Sequence, residues 1–111
     1  MTTAPPDQLL GLLGLGLRAR RVILGVDRVR EAVRANRVAC LVLASDASAR
    51  AREKVVRLAA ARGVPILPGP TAEAIGARLG KPGIMVAAVL DRALARGLAA
   101  AGPGQRASRE A

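Results

Sequence analysis

Four carboxylates, Asp27, Glu31, Asp46 and Asp91, fall at the ends of predicted elements, where acid–base chemistry is often placed. Such chemistry needs paired groups whose environments split their pKa values, and its commonest partners are histidine and tyrosine. The 111-residue chain has no histidine and no aromatic residue, so Ser-His and Cys-His nucleophile pairs are excluded. Asp46 and Asp91 stand where helices begin, and capping accounts for them. The single cysteine, Cys40, excludes an internal disulfide and a multi-thiolate zinc site. It lies inside the apolar run VACLVLA, the setting of a buried, inert thiol in a reducing compartment. These residues predict no enzyme, no cofactor and no metal.

The remaining chemistry is that of cations. Eighteen basic residues face eight acidic ones, for a net charge of +10; only Lys54 and Lys81 are lysines and the other sixteen are arginines. Such an excess suits a polyanion, because neutralising phosphates releases counterions. The segment GVDRVREAVR (residues 25–34) concentrates the question. Val26, Val29 and Val33 form an apolar stripe at helical spacing, and Asp27, Arg28, Arg30, Glu31 and Arg34 crowd the rest. That polar face is either solvated or grips phosphate. With no aromatic ring for base stacking, single-strand readers are disfavoured. Arginine forks, helix N-termini and backbone amides would instead meet a shaped RNA or a duplex.

The elements that must position these groups follow from periodicity and punctuation. A chain of this length is one domain with a modest core, built here from Leu, Val, Ile and Ala. Pro5-Pro6-Asp7 starts a helix through about Leu17. Its LLGLLGLGL core is too short to cross a bilayer, which needs about 20 residues, and it lacks the basic flank of a signal peptide. It reads as a core helix. Val22–Leu24 is a short strand, residues 26–36 a helix, and residues 38–44 a strand buried on both faces. Ser45–Ser48 supply caps for a helix over about 49–62, closed by Gly63. Val64–Leu67 is a brief edge strand, and Thr71 caps a helix to about Leu79. Gly80–Gly83 is a loop, Ile84–Leu90 a strand, and Asp91 caps a last helix to about Leu98. Alternating strands and helices give the α/β class, with four strands between helix layers. Gly14, Gly16 and Ala19 match a G-x-G-x-x-A dinucleotide pattern, but they close a helix instead of following a strand, so close packing by small residues explains them.

Four stretches, in this order, carry a further likeness: LLGLGLRARRVILG, GVDRVREAVRANR, CLVLASDAS and IGARLGKPGIMVAAVLD. Together they resemble the kink-turn-binding ribosomal protein family, which includes archaeal seven-Ae and eukaryotic large-subunit protein thirty, and within it the small bacterial members of the YlxQ type. The resemblance covers residues 9 to about 98. It implies a three-layer α/β/α sandwich with a four-stranded mixed sheet and an RNA-binding domain without catalysis. The expected organisation is residues 1–6 as a flexible N-terminus, 7–99 as the single domain and 100–111, with the run GPGQRASREA, as a disordered tail. The expected partner is structured RNA, kink-turn-like or ribosomal, with the ribosome itself a second candidate. The expected setting is a cytoplasmic monomer without a membrane.

Family members bind duplex RNA that is sharply bent at a bulge beside sheared G·A pairs. The second helix enters the groove, and a loop before the last strand meets the extruded nucleotides. By this likeness Gly25 lets backbone approach RNA, Asp46, Ala47 and Ser48 form the loop after the central strand, and Lys81, Pro82, Gly83, Ile84 and Met85 form the bulge-contacting loop. On the helix, Asp27 stands where members usually carry Asn or Lys, Arg28 replaces Glu or Gln, and Glu31 replaces a widely shared lysine. An acid facing phosphate is unfavourable, so Arg28, Arg30 or Arg34 would substitute. The alternative is a ribosome-associated protein-interaction module that kept the fold and lost kink-turn recognition.

Overall fold

Leucines at positions 9, 10 and 13 give the first helix its buried stripe, and all three are in the core, as a core helix requires. The computed structural model describes residues 5–101, with side chains from Gln8 onward. Among these residues five helices alternate with four strands: α1 (Pro5–Arg18), β1 (Val22–Leu24), α2 (Val26–Arg34), β2 (Cys40–Leu43), α3 (Ala49–Ala61), β3 (Ile66–Pro68), α4 (Ala72–Leu79), β4 (Val86–Val89) and α5 (Arg92–Ala101). The sheet order is β1-β4-β2-β3. β4 lies antiparallel to both β1 and β2, whereas β2 and β3 are parallel, so the sheet is mixed.

The period of two along the central strands builds the three layers. Cys40, Val42 and Ala44, with Ala87 and Val89, face one side and meet Leu9, Leu13, Ile75 and Leu98 of α1, α4 and α5. Leu41 and Leu43, with Val86 and Ala88, face the other side and meet Val29, Val33, Val55 and Ala59 of α2 and α3. The architecture is an α/β/α sandwich. Gly16 has the packing role expected of it: a Cβ there would lie 2.6 Å from Val22 Cγ2. Among the described residues no helix is long and apolar enough to cross a membrane.

Several element ends differ from the sequence expectation, three of them because of a particular hydrogen bond. α2 stops at Arg34 because Asn36 turns left-handed (φ 59°) and its N–H returns to Val33 O. β3 begins at Ile66, not Val64, since Val64 donates to Ala59 O at 2.9 Å in closing α3. β4 begins at Val86: Ile84 donates instead to Ala72 O at the start of α4, 3.0 Å away. α5 continues to Ala101, two residues into the expected tail, with Leu98 and Ala101 buried. α1 likewise includes Pro5 and Pro6, a first-turn setting that proline tolerates. The expectations for residues 1–4 and 102–111 lie outside the described residues.

Cys40 is buried, and loss of solvation pushes its thiol up to about 11 from 9.0. Near pH 8 the thiolate fraction therefore falls about 100-fold below that of a solvated thiol. Alkylation by iodoacetamide should be at least that much slower in the folded protein than in urea, and should keep rising with pH until about 11 instead of levelling off near 9. Equal rates in both states would contradict the burial.

Candidate nucleic-acid interface

One end of the sheet gathers the three segments singled out in the sequence. Gly25 N–H donates to Val86 O at 3.2 Å, joining the β1–α2 corner to the start of β4. Ala44 N–H donates to Met85 O at 2.8 Å, which brings in the segment after β2. Ser45 N–H donates to Pro70 O at 2.9 Å, adding the loop that leads into α4. The Gly80–Met85 loop is held over this end by α4. Gly80 takes φ 72°, its N–H reaches back to Ala77 O, and Lys81 N–H donates to Gly76 O at 2.8 Å, a Schellman closure.

The N-terminus of α2 differs from the other capped helix starts. Ser48 Oγ accepts from Ala51 N–H, Thr71 Oγ1 from Ala74 N–H and Asp91 Oδ2 from Leu94 N–H, so α3, α4 and α5 are capped by side chains. α2 opens on Gly25 at φ 100° and ψ 143°, with no side-chain cap. That conformation is open to glycine and strained for other residues, while a Cβ placed there would meet no other part of the protein within 4 Å. The first N–H groups of α2 thus remain available to an acceptor, with the positive end of the helix behind them.

In front of Gly25 runs a groove of about 610 Å³ along the free edge of β1. Arg28 and the segment Lys81–Ile84 line it at this end, and Arg20 and Arg37 line it further along. The sequence reading did not single out Arg20 or Arg37. They reach the groove only because β1 is an edge strand, a fact of sheet order with no local signature. Arg20 also adopts φ 62° in the turn after α1, which re-aims it.

The predicted site residues divide into distinct groups. Gly25, Arg28, Lys81, Pro82, Gly83 and Ile84 line the groove together. Asp27, Glu31 and Arg34 are exposed on the outer face of α2, and Arg30 lines a different groove against α3. Among the described residues the only ion pair is Arg57–Glu53, so Glu31 does not hold Arg34. Met85 is 37% exposed, ahead of the strand and outside the core. Ser48 caps α3 as expected, but Asp46 works elsewhere: its Oδ1 accepts from Ala72 N–H at 2.8 Å, pinning the β2–α3 loop to α4. Ala47 packs half-buried against both core layers.

The profile of the ribosomal protein L7Ae/L30e/S12e/Gadd45 family matches residues 7–96. Among solved structures, a Bacillus halodurans protein of unknown function is 31% identical, with a TM-score of 0.79 over 85% of this chain and 95% of that one. A Giardia lamblia 15.5 kDa RNA-binding protein shares the fold at 19% identity, with a TM-score of 0.74 over 87% of this chain and 83% of that one. No curated protein matches the sequence.

Proposed function

Because the chain belongs to the ribosomal protein L7Ae/L30e/S12e/Gadd45 family, we propose that it is a small non-catalytic RNA-binding protein that recognises kinked RNA of the kink-turn type. One observation carries this reading: the uncapped, glycine-led start of α2 opens on the same groove as the Lys81–Ile84 loop. Unsatisfied amides and the helix end take phosphate, while Arg28 and Lys81 supply mobile cations on either side. Ile84 is half-buried beneath them and offers an apolar contact to an extruded base. The fold shared with the Giardia RNA-binding protein supports the assignment. The expected setting is the cytoplasm, as a monomer bound to a structured or ribosomal RNA.

The two carboxylates on the outer face of α2 favour a second reading, a ribosome-associated protein adaptor that no longer binds kinks. Asp27 and Glu31 are exposed beside the helix start and oppose phosphate there. Affinity for a kink-turn RNA, compared with the same duplex lacking its bulge, separates the two. Direct recognition gives a preference of at least about tenfold for the bulged RNA, with log affinity falling against log salt at a slope of roughly 4 to 7. An adaptor gives weak binding to both RNAs and no preference.

A further inference from the structure

On the other flank of α2 a second basic groove lies against α3. Arg30 reaches it from α2, and Arg50, Lys54 and Arg57 reach it from α3, over a floor that includes Leu58. Arg50, Lys54 and Arg57 are spaced i, i+4, i+7, so they form one row, about 10 Å long at 1.5 Å per residue. One carboxylate, Glu53, interrupts the row. It sits 3.6 Å from Arg57, with the two side chains 81% and 71% exposed, a pair of little strength that opens readily. Arg30 is half-buried, and its Nε is covered without a hydrogen-bond partner among the described residues. That covered donor stands beside three further cations and the single carboxylate of Glu53, and buried donors are normally satisfied.

We propose that this α2–α3 groove is a second RNA-binding surface, a track for the phosphate backbone of a duplex arm. α3 starts at the sheet end occupied by Gly25 and Met85, because it follows the loop after β2. Arg50, in its first turn, is the cation nearest that end, and Lys54 and Arg57 lead away from it. An arm leaving the first groove can therefore continue along the row, whose length equals about three base-pair rises of a duplex axis. The inference rests on the RNA-binding reading but not on kink recognition.

The test uses the full chain and two probe RNAs: an unbulged duplex of about two helical turns and a kink-turn hairpin with arms too short to reach α3. In Arg50→Gln/Lys54→Gln/Arg57→Gln, duplex affinity falls at least about tenfold and its salt slope drops by roughly 2 to 3, while hairpin affinity changes by less than about twofold. A charge-matched control, Arg78→Gln/Arg92→Gln/Arg96→Gln, alters exposed arginines elsewhere and leaves duplex affinity within about twofold. Unchanged duplex affinity in the first variant overturns the proposal, as expected if the row serves an acidic protein segment. Equal losses in the first variant and the control also overturn it, since only net charge would then matter. Failure of kink recognition shows separately, as equal wild-type affinity for a bulged and an unbulged RNA.

Discussion

Replacing Gly76 by alanine lowers the stability of the protein by about 2 kcal/mol, despite the gain of about 1 kcal/mol that alanine brings to an exposed helix interior. Gly76 is buried on α4, and the chain returns over it after the Schellman turn. A Cβ there would lie 2.7 Å from Lys81 O and 2.8 Å from the Pro82 carbonyl carbon. Both are backbone atoms, which cannot swing aside as a side chain would. The loop must lift, breaking the 2.8 Å bond from Lys81 N–H to Gly76 O and loosening Ile84 from Ala72. Overpacking of this kind typically costs about 1–3 kcal/mol, and contact with backbone places it at the upper end. Urea denaturation reads the change as a lowered midpoint at constant slope. A stabilised variant would mean that helix propensity outweighs the contact. The same displacement carries Lys81 out of the groove, so RNA affinity falls even where the variant is folded.

The second large effect is on binding alone. Arg28→Ala/Lys81→Ala should weaken kink-turn binding by about 100-fold, because a charge-assisted hydrogen bond contributes about 1.5–3 kcal/mol and 1.4 kcal/mol is a factor of ten. Both side chains are exposed and form no ion pair among the described residues, so the melting temperature should stay within about 2 °C of wild type. Glu31→Lys moves affinity the other way, by roughly tenfold, if the new cation reaches a phosphate or a guanine edge. Loss of stability in step with affinity in the double variant would reassign the pair to the fold. No change from either variant leaves α2 a solvated helix and removes it from the interface.

Local chemistry made most of this fold readable. The leucine spacing of α1, the uncharged run of β2, the caps Ser48, Thr71 and Asp91, and the left-handed closures at Gly63 and Gly80 are each determined within a few residues. The misplaced strand starts depend on bonds the sequence does not display: Val64 to the end of α3, and Ile84 to the start of α4. Asp46 illustrates the same limit. Its sequence neighbours suggest a cap for α3, yet it bonds Ala72 across a separation of 26 residues. The candidate interface was legible in outline, since its three loops are tied to neighbouring strand ends. Its membership was not. Arg28 and Arg30 differ by two residues, about 200° around a helix, and so flank the buried stripe on opposite sides and line different grooves. That separation follows from the helical period, whereas the arrival of Arg20 and Arg37 requires the sheet order.

The claim that the α2 start and the Lys81–Ile84 loop together recognise a kink is tested most directly by the shape of the bound RNA. A kink-turn duplex carrying a donor and an acceptor dye at its two arm ends reports that shape as protein is added. Recognition at this groove predicts a rise in energy transfer that saturates with binding, is absent for the same duplex without its bulge, and is lost in Arg28→Ala/Lys81→Ala. Binding that saturates with no change in transfer, or an equal change with and without the bulge, would contradict it.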